Sequence, residues 1–192
     1  MNMTYKIIQP PFTLKFREMS KKELKDYFQW FLGMIPNRIN ELTIAVRQVP
    51  ESAVWQPNKT PASLDVLGNW LFTQVKTRQQ TEEELQKIKD GLVFPMEISG
   101  EELTNRTFSL AIDAGMYLSQ VFLQNYPSLR WNQEFGNKKF IDYGQPVLIE
   151  FGPAPFNPVR MMVTLAYGLS DKTWNGRQLR EIYDYWAKQV RE

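Results

Sequence analysis

Residues 107–126 read TFSLAIDAGMYLSQVFLQNY, and this stretch decides the fold. Drawn as a helix, it carries apolar residues on nearly every side. A helix that is hydrophobic all round belongs inside the protein. Pro127 stops it, because proline has no N–H to continue the helical ladder. Upstream, Ser99 and Glu102 have the spacing of a capping box, so the central helix is predicted over about 103–126. Asp113 conflicts with its surroundings. A carboxylate among Ile112, Met116 and Tyr117 needs a cation or several donors if it is to stay buried.

Downstream, LRWNQEF (129–135), KKFIDY (138–143) and PVLIEF (146–151) are separated by turn signals at Gly136-Asn137 and Gly144-Gln145. They are predicted to form a small antiparallel meander of three strands over about 129–151. The next segment, Gly152-Pro153-Ala154-Pro155, joins a strand to a helix. Such junctions bind anions through free N–H groups, but two prolines remove donors here, so it reads as a stiff connector. Asn157 and Pro158 suit the N-cap and N1 positions of a helix carrying Val159, Met162, Val163 and Ala166 inward. Arg160 lies in that apolar helix, and it is the expected partner of Asp113. The last helix, about 176–190, presents Leu179, Ile182, Tyr183, Trp186 and Val190 on one face.

Upstream of the central helix, Phe12, Leu14 and Phe16 alternate with polar residues and read as a short strand. Ser20 and Glu23 form a capping box for a helix with Leu24, Tyr27, Phe28, Phe31 and Leu32. Gly33 and Pro36 end or kink that helix, and Pro36 can open a second one bearing Ile39, Leu42 and Val46. Residues 50–60, with an exposed Trp55, read as loop. Leu64, Leu67, Trp70, Leu71 and Val75 form one face of the next helix. Thr81 with Glu84 caps a short charged helix that ends at Asp90-Gly91. The fold class is therefore α+β, one domain over 1–192, with about six helices around the buried central one.

Composition limits the chemistry. The 192 residues include neither cysteine nor histidine. Thiolate nucleophiles, disulfides, Ser–His dyads and the commonest metal ligands are excluded. A metal site would need oxygen ligands only. Net charge is +2, from 23 basic and 21 acidic residues. Residues 1–60 carry nine Lys/Arg against five Asp/Glu, whereas 61–102 carry four against eight. This mild asymmetry is unlike the clustered basic face of a nucleic-acid binder. No apolar run reaches the ~20 residues that span a bilayer, and the N-terminus has no signal-peptide pattern.

The candidate polar cluster is Asp113, Tyr117, Asn157 and Arg160, with Tyr117 one turn beyond Asp113 on the same helix face. A buried ion pair fixing two helices is the simpler account of Asp113 and Arg160. The functional account is a ligand-binding or carboxylate-based catalytic centre. Tyr183, Tyr185 and Trp186, with Trp30 and Phe31, form a second candidate set, of core or interface aromatics.

The segments DAGMYLSQVFLQNYPSLRW (113–131), PVLIEF (146–151) and FNPVR (156–160), with SLDVLGNWL (63–71), resemble a pattern in small uncharacterised bacterial proteins of unknown function. The resemblance covers about residues 60–170 and carries over no catalytic residue. It implies a class that includes immunity-like and other interaction systems. The expectation is a cytoplasmic, non-enzymatic protein-interaction module, immunity-like or adaptor in kind. Its partner would be another protein or a second copy, with no membrane, cofactor or metal. Two alternatives stand beside it. One is a small-molecule-binding protein or enzyme using Asp113, Tyr117 and Arg160. The other is a weak nucleic-acid binder with a basic face at Lys21, Lys22, Lys25 and Arg38.

Overall fold

The computed structural model describes residues 4–91 and 98–190. Its centre is helix α4, Asn105–Asn125, in which Leu110, Ala111, Asp113, Ala114, Met116, Tyr117, Leu118, Val121 and Phe122 are fully enclosed. Around it lie α1 (Lys21–Arg47), α2 (Ser63–Gln74), α3 (Glu82–Asp90), α5 (Pro158–Ser170) and α6 (Gln178–Ala187). Two small antiparallel sheets complete the α+β fold. Strand β1 (Thr77–Gln79) pairs with β2 (Glu101–Leu103), and β3 (Arg130–Gln133) with β4 (Pro146–Ile149).

Several elements form for the local reasons the sequence supplies. Ser20 and Glu23 close a capping box on α1, and Thr81 and Glu84 close one on α3. Asn157 accepts the Arg160 N–H and Pro158 occupies the first turn of α5. The cap of α4 differs from expectation. Thr104, not Ser99, is the N-cap, accepting from the Thr107 N–H. Glu102 sits on β2, where it pairs with Arg78, which also pairs with Glu84 at the start of α3.

Pro36 neither ends nor splits α1, which runs through it for 27 residues. A proline inside a helix costs about 3 kcal/mol. Burial on both sides offsets this. The first half buries Leu24, Tyr27, Phe31 and Ile35 against one apolar cluster, and the second buries Leu42, Ala45 and Val46 against the main core. The alternating Phe12-Leu14-Phe16 segment is likewise not a strand. Phe12 and Phe16 instead stack edge-on against Tyr27 at 5.5 and 5.1 Å, so both aromatic rings serve one cluster. Trp55 is buried, not exposed. Its indole N–H donates to the Ser63 carbonyl at 3.0 Å and its ring meets Tyr117.

The meander loses its middle strand. LRWNQEF and PVLIEF pair directly, with Trp131 opposite Leu148, while 138–143 forms turns between them. Within those turns Asp142 is buried and held by Arg160 and Asn157, so the segment folds inward instead of pairing as a strand. A third segment does join β4, but from the other side. Phe156 exchanges two backbone hydrogen bonds with Leu148, each 2.8 Å. The chain between them, 149–155, is a tight loop.

Helices α4 and α5 meet at Gly115, where a Cβ would stand 2.8 Å from the Pro158 carbonyl oxygen and 2.9 Å from Val159 Cα. Both obstacles are backbone and cannot swing aside. Gly115→Ala is expected to destabilise the protein by about 1–3 kcal/mol. Gly33 in α1 faces open space, so Gly33→Ala should stabilise it by about 0.5–1 kcal/mol. Urea unfolding of the two variants checks both signs.

Candidate functional site

Asp113 and Arg160 do not meet. The cation at Asp113 is Arg38, from the second half of α1. Its Nε donates to Asp113 Oδ1 and its Nη2 to Oδ2, both at 2.8 Å, forming a two-pronged pair. Tyr5 donates its hydroxyl to Oδ2 at 2.6 Å. Arg38 also donates to the Lys6 carbonyl, while Ser109 Oγ accepts from the Ile8 N–H and Glu41 from the Lys6 N–H. Arg38 is 3% exposed and Asp113 not at all. Burial is the largest influence on the Asp113 carboxyl and pushes it up to about 6, against the pull of Arg38 and Tyr5. The centre is sealed, and its donors and acceptors are spent on pinning residues 5–8 to α1 and α4.

Tyr117 belongs to neither arginine. Its oxygen meets Ser63 Oγ at 2.6 Å and accepts the Lys59 N–H at 3.0 Å, which fastens the 53–62 loop onto α4. Asn157 and Arg160 are brought together, with Asp142 between them. Arg160 donates from Nε and Nη2 to the two Asp142 oxygens at 2.7 and 2.9 Å. Asn157 Nδ2 donates to Asp142 Oδ1 and to Gln145 Oε1. Asp142 is buried, while the Arg160 side chain is 39% exposed. This cluster clamps the β3–β4 connection to the start of α5. The four residues expected to form one centre therefore fall into three separate constellations.

The basic face expected on α1 is interrupted, since Arg38 points inward and Lys22 pairs with Asp26. Of the aromatic set, Phe31 and Tyr183 are core, Trp30 and Trp186 are half-buried, and Tyr185 stands out at 63%. Sequence spacing did hold a signal for Arg38. It continues the series Phe31, Ile35, Leu42 on the buried face of α1, and a lone arginine on such a face calls for a buried acid.

What is open lies elsewhere. A cleft of about 520 Å³ separates the loop 134–140 from the loop 149–155, within the range of small-ligand and peptide sites. Glu134, Lys139 and Phe140 stand on one wall, and Ile149, Glu150, Pro153 and Pro155 on the other. Glu134 accepts from Asn132 Nδ2 at 2.8 Å, and Glu150 pairs with Arg130 at 3.0 Å. Glu150 also has φ +83°, a strained backbone for a side-chain-bearing residue. Sequence reasoning read the proline segment only as a connector. The opposing loop closes the cleft from a separate part of the chain, which spacing along 152–155 does not reveal.

Among the described residues, no group of three or more His, Cys, Asp or Glu is arranged to hold a metal ion. No helix there is long and apolar enough to cross a membrane. No family model, curated protein or solved structure matches the chain.

Removing one member of the Arg38–Asp113 pair leaves a buried charge alone. Arg38→Met should therefore cost about 3–5 kcal/mol, whereas Arg38→Met with Asp113→Leu should recover most of that loss in denaturant unfolding. Asp113 titrates at about 6 when folded, above its ordinary 3.8. Between those values the folded chain holds a proton that the unfolded chain has released. The contribution of this group to stability is complete below about 4, is lost as pH rises to 6, and is flat above. The stability difference between wild type and Asp113→Asn, followed from pH 4 to 8, should show that slope.

Proposed function

We propose that the chain is a cytoplasmic, non-enzymatic protein-interaction module of bacterial type, immunity-like or adaptor in kind, which takes a segment of its partner into the cleft between residues 134–140 and 149–155. The cleft itself carries this reading. Two prolines stiffen one wall, so little order has to be imposed on binding. Its lining combines apolar surface at Phe140, Ile149 and Pro153 with three charged side chains, the mixture expected of a peptide groove.

The buried polar groups support the same reading by elimination. Asp113, Arg38, Asp142, Asn157 and Tyr117 all have internal partners. Among the described residues, only the Trp70 indole N–H is buried without one. With no histidine or cysteine in the chain, the side chains best placed for chemistry are engaged in holding the fold. The acidic Glu82–Glu84 run opens α3 and complements its helix dipole, so it needs no ligand either.

Ala154 is exposed at the cleft and supports nothing in the core. Ala154→Trp should fill the cleft, keep the unfolding midpoint within about 1–2 °C, and abolish recovery of a stoichiometric partner from the native host. Lys172→Ala, outside the cleft, should leave recovery intact. A partner recovered equally by wild type and Ala154→Trp would overturn the assignment of the cleft.

A further inference from the structure

We infer that the chain carries a second docking surface, a basic hollow between the turn at 15–18 and the turn at 141–145, which takes an acidic segment of a partner protein. Carboxylates of that segment meet Arg17 and Lys138, and an apolar residue between them lies on Ile141. This rests on reading the chain as an interaction module, but not on the cleft, with which the hollow shares no lining residue.

The first support is charge that the chain does not compensate. Residues 15–26 and 138–142 hold seven Lys/Arg against four Asp/Glu, an excess larger than the +2 of the whole chain. All four acids are engaged. Glu18 pairs with Lys15 at 3.4 Å, Asp26 with Lys22 at 2.9 Å and Asp142 with Arg160 at 2.7 Å. Glu23 is spent on the Ser20 cap. Arg17, Lys21, Lys25 and Lys138 are exposed and have no acid partner among the described residues.

The second is that the fold builds this juxtaposition. Lys138 lies 121 residues from Arg17 along the chain, yet its Nζ donates to the Arg17 carbonyl at 3.3 Å. Gln133 Nε2 donates to the Leu24 carbonyl at 2.7 Å and to the Gly144 carbonyl at 2.8 Å, which ties the start of α1 to the same turns. A carbonyl satisfies one N–H of the Lys138 ammonium without neutralising it. Lys138 is thereby held beside Arg17 with no anion from the chain between them. Exposed charges of this kind contribute little to stability, so the fold draws nothing from the arrangement. A negatively charged partner completes it.

The third is shape. A hollow of about 370 Å³ lies between the two turns, with Phe16 and Arg17 on one side and Ile141 and Tyr143 on the other. Ile141 is 57% exposed. Its neighbour Asp142 is anchored inward by Arg160 and Asn157, which fixes the turn and leaves the branched apolar side chain outside. The surroundings select among anions. Phe16 already stands edge-on to Tyr27, and Tyr143 to Phe135, so neither ring is a free stacking platform for bases. A concave wall does not lie flat on a bilayer. An acidic polypeptide matches the charge and the concavity, and its own apolar side chain covers Ile141.

The test is an amide-shift titration of the full chain with the acetylated peptide amide Glu-Asp-Glu-Leu-Asp-Glu at about 25 mM salt. The same peptide with Gln and Asn for its acids, a single-stranded deoxythymidine oligomer, and vesicles of equal parts phosphatidylserine and phosphatidylcholine are titrated beside it. The acidic peptide should shift amides at 15–18 and 141–145. Arg17→Glu with Lys138→Glu should weaken it by about tenfold, while the unfolding midpoint stays within about 2 °C. Ile141→Ser should weaken it by about threefold. Absence of those shifts, or equal binding of the neutral peptide, overturns the proposal. Tighter binding of the oligomer or of the vesicles overturns the choice of an acidic protein. Peptide binding that survives Ala154→Trp and is lost on charge reversal supports the hollow, whether or not the cleft holds a partner. Peptide binding lost in Ala154→Trp but kept on charge reversal places the acidic segment in the cleft and overturns the hollow.

Discussion

Arg38 and Asp113 meet at 2.8 Å with almost no access to water, and three parts of the chain depend on that meeting. The pair joins the second half of α1 to the middle of α4. It also holds the N-terminal segment, because Tyr5 donates to the same carboxylate and Arg38 donates to the Lys6 carbonyl. Two charges taken out of water are costly, and their attraction repays that cost only when every remaining donor and acceptor is engaged. Tyr5, Ser109 and Lys6 supply those contacts. The result favours one register of α1 on α4 over its neighbours, since sliding either helix by a turn would strand an ion in the core.

That constraint also explains why α1 survives Pro36. The helix must be continuous to present Phe31 and Ile35 to the aromatic cluster and Arg38 to Asp113 at the same time. With α1 and α4 fixed, Gly115 lets α5 approach α4 backbone to backbone, and Asp142 clamps Arg160 and Asn157 at the start of α5. The clamp sets where the β3–β4 connection leaves the body. The loops 134–140 and 149–155 then face each other across the cleft. Its geometry follows from contacts between separate segments, the Asp142 clamp on Asn157 and Arg160 among them, which is why it belongs to no motif.

Much of the fold was legible because much of it is local. A capping box is written within four residues, and those at Ser20 and Thr81 form as spaced. Asn157-Pro158 opens α5 for the same reason. Where local signals competed, tertiary packing chose. Ser99 and Glu102 had capping spacing, but Glu102 found Arg78 across β1 and β2, and Thr104 took the cap. KKFIDY had strand composition, but Asp142 turned inward to Arg160 and Asn157, and the segment folded as turns. The candidate site was only half legible. Asn157 and Arg160 do share a cluster, and Asp113 is in a buried ion pair, but not with each other.

The sequence by itself determined that residues near 107–126 would be buried, that Asp113, if buried, would need a cation or several donors, and that no imidazole or thiol chemistry is available to the chain. Each follows from the identity of residues and their spacing along one element. Only the tertiary structure decided which arginine Asp113 receives. Arg38 and Arg160 each lie on a largely apolar helix, and helical periodicity places both equally well. The choice depends on which helix faces which side of α4, a matter of distances between segments that have no fixed separation in sequence. The cleft and the strained φ of Glu150 were decided at the same level, by how loops are drawn across a packed core.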